Sequence, residues 1–106
     1  MTELPTVVSL KAESELVVEK TIADVDDHVV RIYVWTEPYH WHQHPDSDEA
    51  FLVVEGSLDI EFDDGTVRIH QGELLTIPKG TRHRTKPAGD RCVGVAFESV
   101  SSTEVM

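Results

Sequence analysis

Apolar residues in this chain alternate with polar ones over short runs, and turn residues close each run. Successive side chains of a strand point to opposite faces, so alternation at period two marks half-buried β-strands. No long stretch carries apolar residues at helical spacing. The clearest strand is 29–36, rich in β-branched and aromatic residues. Residues 49–55 form the next, ended by Gly56. Segments 58–62 and 67–70 alternate cleanly and are joined by Asp63-Asp64-Gly65-Thr66, whose Asp-Gly pair signals a hairpin turn. Segments 74–77, 82–86 and 91–98 complete the strong set. Segments 7–10 and 16–18 are weaker strand candidates, and 39–44 is expected to be extended up to Pro45. The acidic run 22–27 is expected to be a loop, and 99–106 a flexible tail. Strands this short and this closely spaced, about ten in all, predict an all-β sandwich or barrel.

The side chains expected in the core are Leu58, Ile60, Phe62, Val67, Ile69, Leu75, Ile77, Val93, Val95 and Phe97. Phe51 and Val53 share a face with Glu49 and are expected to wall a pocket. Gly56, Gly72 and Gly80 sit at reversals where a positive φ is needed. Tyr33, Trp35, Tyr39 and Trp41 are expected to pack in a core or subunit interface, with Tyr39 and Trp41 facing away from His40 and His42.

The chain has 106 residues, the size of one domain, with its core over about 7–98. Its net charge of −11 opposes binding to a nucleic-acid backbone or an anionic membrane, so neither is expected as a partner. The single cysteine, Cys92, has no internal disulfide partner and makes a thiolate-based zinc or iron–sulfur site improbable. Apolar runs are too short for a membrane span, and the first residues lack the basic start and apolar stretch of a signal peptide. A cytoplasmic location is expected. Lys79, Arg82, Arg84, Lys86 and Arg91 hold five of the nine positive charges; Arg82, Arg84 and Lys86 alternate with His83 and Thr85, so the cluster reads as a solvated outer face. Cys92 reads as a small buried hydrophobe, and His28 and His70 as exposed.

Histidine placement changes the picture. Three of the six histidines lie at 40, 42 and 44. On an extended strand His42 and His44 project from one face, close enough to grip one metal ion. Glu49 begins the following strand, where its carboxylate can face the same pair, and His83 can add a fourth ligand from a distant part of the chain. Imidazole and carboxylate donors suit Fe, Mn, Co, Ni, Cu or Zn. His40 shares that face if the strand is regular. It is then a candidate acid/base or substrate contact, although a histidine at the pocket mouth is the plainer reading.

The segment His42-x-His44-x4-Glu49-x6-Gly56 resembles the first motif of the cupin superfamily, and Gly72-x5-Pro78-x-Gly80-x2-His83 resembles its second. The 15 residues between them, 57–71, match a short hairpin of the small microbial type. Thr36 and Pro87 depart from the family pattern, at positions outside the ligand set. The resemblance implies an all-β, cupin-type jelly-roll β-barrel of antiparallel strands. It implies one divalent transition metal held by His42, His44, Glu49 and His83. It also implies a homodimer built through an N-terminal strand, with 7–10 and 16–18 as the segments exchanged. The expected function is a metal-dependent enzyme, an oxygenase, isomerase or lyase, acting on a small anionic or sugar-like molecule. The alternative is a metal-containing module that binds or senses a small ligand without turnover.

Overall fold

The computed structural model describes residues 4–106. A short helix, α1 (Leu10–Ser14), is followed by β1 (Glu19–Val25), β2 (His28–Trp35), β3 (Glu49–Glu55), β4 (Ser57–Phe62), β5 (Gly65–His70), β6 (Leu74–Ile77), β7 (His83–Pro87) and β8 (Cys92–Ser99). One sheet has the order β1-β2-β8-β3-β6 and the other β5-β4-β7, with every pairing antiparallel. The sheets form a jelly roll; their hydrogen-bond ladders do not close into a continuous barrel.

Two apolar clusters lie on opposite faces of the larger sheet. The inner one joins Trp35, Phe51, Val53, Ile77, Cys92 and Ala96 to Leu58, Ile60 and Ile69 of the smaller sheet. The outer one gathers Ile32, Val93 and Val95, with Leu10, Val17 and Phe97 packed against them. Burial of apolar side chains on both faces explains why β8 reads as a nearly unbroken apolar run. It also reassigns part of the expected core. Val93, Val95 and Phe97 face the outer cluster, while the inward face of β8 carries the small residues Cys92, Gly94 and Ala96. A Cβ on Gly94 would stand 2.9 Å from the Leu52 carbonyl oxygen and 3.0 Å from the Trp35 ring. The missing methyl lets the indole settle against the sheet. Val67, also expected inside, lies exposed on β5.

Several segments depart from expectation. Residues 7–10 are not a strand: Ser9 caps α1, its Oγ accepting from the Ala12 amide at 3.2 Å. Residues 16–18 form the turn into β1. The acidic run read as a loop lies largely in β1, an edge strand paired with β2 and bulged between Thr21 and Ala23. Its exposed face needs no apolar residues, so the alternation is weak. Asp26 closes that hairpin at φ 53°, a conformation Asp tolerates. The β4–β5 loop is Asp63-Asp64, with Gly65 already paired to Phe62. Gly56, Gly72 and Gly80 do have positive φ. At Gly56 the requirement is double, because a Cβ would also meet the Arg91 carbonyl oxygen at 2.6 Å.

The last eight residues run back across the 39–46 segment. Gln43 and Val105 exchange backbone hydrogen bonds of 2.7 and 2.9 Å. The Asp46 carboxylate accepts from the Thr103 amide and hydroxyl. The segment expected to trail away therefore forms a strap over one end of the jelly roll.

Candidate metal centre

The 39–44 segment is extended, but only His42 and Gln43 make ladder contacts. His42 pairs with His83: each backbone amide donates to the other's carbonyl, at 2.9 and 2.8 Å. This bridge brings the two distant motifs side by side, with ring centroids 4.4 Å apart. Glu49 opens β3, and His44 sits one residue before Pro45 with its carbonyl accepting from the Gly80 amide. One ligand atom from each of His42, His44, Glu49 and His83 lies within 4.8 Å of all the others. All four side chains are buried. The structure thus brings together the four residues that the sequence singled out.

The backbone aims the rings. Nδ1 of His42 donates to the His40 carbonyl, Nδ1 of His44 to that of Thr103 and Nδ1 of His83 to that of Thr81, each at 2.8 Å. A carbonyl only accepts, so each Nδ1 carries a proton and Nε2 is turned toward the cluster. Tethering the far nitrogen in this way is how proteins fix the tautomer and angle of a metal-ligating imidazole. His44 Nε2 lies 3.2 Å and His83 Nε2 3.7 Å from Glu49 Oε1. Neither Glu49 Oε1 nor His83 Nε2 has a hydrogen-bond partner of good geometry, although both are buried. Orphaned buried polar atoms are costly, and a cation placed among them would satisfy them together. The donor set therefore fits a divalent ion of imidazole–carboxylate preference.

The electrostatics agree. Burial pushes the Glu49 carboxyl up, but the His44 and His83 imidazoles beside it outweigh burial and bring it down to about 2. The same carboxylate raises His44 to about 9 against the opposing effect of burial. Burial lowers His42, and the neighbouring His83 and His44 rings add to the effect. Without a metal, a proton on His44 takes the cationic role, and metal binding would release it.

A cavity opens from the cluster toward the strap. Tyr33, Trp35 and Phe51 form an aromatic wall, with Tyr33 and Trp35 stacked at 5.3 Å and Phe51 meeting Trp35 edge-on at 5.9 Å. Val53 is buried in the inner cluster rather than lining this space. Tyr39, Thr85 and Glu104 complete the lining. The free space is about 30 Å³, room for one or two waters. Tyr39 was expected to face away, but Pro38 precedes an irregular stretch, and alternation does not hold there. Trp41 does point outward, beneath Arg82 and Arg84, with the Arg82 guanidinium 4.3 Å from the ring centre. Arg82 pairs with Asp63, and Arg84 and Lys86 pair with Glu61, so these cations form an outer face.

His40 is exposed at the cavity mouth and does not line the cavity; its Nε2 meets Glu104 Oε2 at 2.8 Å. Sequence reasoning missed three contributors. Thr103 tethers His44, and Glu104 reaches the mouth, both through the strap. Glu98 lies opposite Glu49 in the β3–β8 register, buried, with its carboxyl raised by burial and by the Glu49 charge. The spacing Cys92, Gly94, Ala96, Glu98 placed Glu98 on the inward face and was the available signal.

Residues 34–97 match the family model of the cupin domain, Cupin_2. The chain belongs to this family. Among curated proteins, this cupin is 52% identical over 67 residues to the uncharacterized protein YdbB of Bacillus subtilis, a match covering 62% of the chain and 59% of the relative. It is 35% identical over 57 residues to the tetracenomycin polyketide synthase protein TcmJ of Streptomyces glaucescens, covering 54% of the chain and 38% of the relative. The matches thus span less than two thirds of these relatives. Among solved structures, a cupin-2 domain containing protein from Shewanella frigidimarina superposes with a TM-score of 0.82 at 29% identity, over 88% of this chain and 94% of that one. KdgF from Halomonas sp. shares the cupin fold, with a TM-score of 0.67 at 20% identity over 76% and 77% of the two chains.

Proposed function

We propose that this cupin holds one divalent transition metal (Fe, Mn, Ni, Co, Cu or Zn) through His42, His44, Glu49 and His83, and that it is an enzyme acting on a small anionic or sugar-like molecule. The observation carrying this reading is the set of three imidazoles tethered at Nδ1, with Nε2 turned toward a buried carboxylate. The ion, when bound, would supply Lewis acidity to a carbonyl oxygen of the ligand in isomerase or lyase chemistry, and redox capacity in oxygenase chemistry. Three neutral imidazoles and one carboxylate leave a divalent centre with net positive charge, which favours an anionic chelating ligand such as an enediolate or a keto acid. The aromatic wall limits the water beside the cluster to one or two molecules and offers a flat surface to an enolised group. The polyketide synthase name of the Streptomyces relative is compatible with a carbonyl-rich substrate.

A second reading, a metal-containing binding or sensing module, is favoured by two observations. The free space is small, and His40, the expected acid/base, lies outside it. Metal analysis of untagged protein followed by an oxygen-uptake screen separates the readings. Iron with turnover supports the oxygenase, and another metal without oxygen uptake shifts weight to isomerase, lyase or sensor. Absence of any transition metal, with no uptake of added ions, overturns the metal reading. Calorimetry showing no preference for anionic chelators over neutral sugars removes the substrate class.

We also propose a homodimer in the cytoplasm. Leu4, Val7, Leu16, Val18 and Val25 are exposed at the N-terminal end and on the edge strand β1, an apolar surface suited to a second copy. Light scattering that gives only a species of 11.9 kDa refutes the dimer. Among the described residues no helix is long and apolar enough to cross a membrane.

A further inference from the structure

At the mouth of the cavity the chain binds one of its own carboxylates. Glu104 Oε1 accepts from the Tyr39 hydroxyl at 2.9 Å, and Oε2 meets His40 Nε2 at 2.8 Å. Oε1 also lies 3.7 Å from His42 Nε2, so the carboxylate sits at the edge of the metal cluster. The donors and the acceptor have different supports. Tyr39 is anchored to the body by its amide, which donates to the Thr85 carbonyl at 2.8 Å, and its ring packs on His40 with centroids 4.0 Å apart. Glu104 is carried by the strap, and its side chain is one-third exposed. The neutral Nε2–H tautomer of His40 is a sufficient donor, so the arrangement needs no change of protonation.

We infer that Tyr39 and His40 form a carboxylate-binding seat beside the metal pocket, filled in this structure by Glu104, and that a small carboxylic acid enters by displacing Glu104 from it. This rests on the metal reading above and deepens it, because it names the carboxylate as the anionic part of the ligand. Two donors on one side of the mouth take the two oxygens of a single carboxylate, a charge-assisted arrangement a neutral group does not match. Glu104 occupies both donors, so an acid seated on them must take its place. A group tethered to the same chain competes at an effective concentration of about millimolar or above. Glu104 therefore sets a threshold that a free acid must exceed.

The test uses the full chain, metal-loaded, with pyruvate and its neutral methyl ester as probes, followed by NMR of the histidine ring protons. Glu104→Ala is expected to tighten pyruvate binding by about tenfold or more and leave the ester unchanged. Glu104→Gln, which keeps the size, should give a smaller gain in the same direction. Adding Tyr39→Phe to Glu104→Ala should remove most of the gain. Equal gains for acid and ester would make Glu104 a mere plug and overturn the seat, as would no gain for either. The seat uses only side chains of the protein, so the preference for acid over ester should persist after chelation. Preference retained in a protein that takes up no metal would support the seat and sink the metal reading alone. Metal bound with no preference in either form would sink the seat alone.

Discussion

The floor and the rim of the cavity are built differently. At the floor, His42, His44 and His83 are buried, each Nδ1 is tied to a main-chain carbonyl, and His42 is locked to His83 through the backbone. At the rim, Tyr39, His40 and Glu104 meet only through side chains, and Glu104 comes from the strap. Backbone tethers fix geometry before any ligand arrives, whereas exchangeable side-chain contacts can be broken by one. The floor is preorganised for an ion, and the rim is arranged for replacement.

The strongest break in this contrast is at the floor. His83→Ala should weaken metal binding by about a hundredfold or more, at or beyond the top of the roughly 10–100-fold range seen when residues that only support a metal site are removed, and His44→Ala should act similarly. Elemental analysis of the purified variants reads this directly. Next in size is the pH response of chelator-stripped protein. Folding raises His44 from 6.5 to about 9, so its stabilising contribution is full below pH 6.5 and is lost as pH rises through about 9. Folding lowers Glu49 from 4.5 to about 2, so its contribution is present above pH 4.5 and is lost as pH falls through about 2. The two shifts describe one pair and are counted once. Between pH 4.5 and 6.5 both contributions are present, but the lowered His42, neutral in the fold and protonated when unfolded, works against them; above pH 6.5 the stripped protein should melt at a falling temperature toward pH 9. The loaded protein should not show the alkaline decline, because metal replaces the His44 proton.

A smaller effect is expected at the strap, which supports the rim through Glu104 and the floor through Thr103. Asp46→Ala removes the acceptor of the Thr103 amide and hydroxyl. Hydrogen exchange at the Val105 amide should quicken, while the melting temperature stays close to that of the parent, because Asp46 is exposed. The smallest effect sets the baseline. His70 is exposed and bonded to Ser57 on the hairpin, so His70→Ala should leave metal occupancy unchanged.

The same division governs what the sequence made legible. The floor residues were readable because they sit at fixed offsets from Gly and Pro turns on strands whose alternation is strong. Most of β2 to β8 were visible because they bury apolar side chains at alternate positions, while β7, whose buried residues are His83 and Thr85, was read from the turns on either side of it. β1 was not, since Ile22 alone among its residues is partly buried. The strap was invisible because its order comes from contacts to Gln43, His44 and Asp46, about sixty residues earlier, and no local pattern encodes such pairing. Glu98 could have been found, but counting Val93, Val95 and Phe97 as inner core turned β8 the wrong way round. Either face of a strand buried on both sides looks equally apolar.

Gly94 carries a consequence for how such chains diverge. The 3.0 Å gap between its absent methyl and the Trp35 ring couples a position with no side chain to the largest ring of the aromatic wall. An alanine at 94 would still meet the Leu52 carbonyl oxygen at 2.9 Å whatever stands at 35, so glycine should persist at 94 across an alignment even where the ring at 35 shrinks.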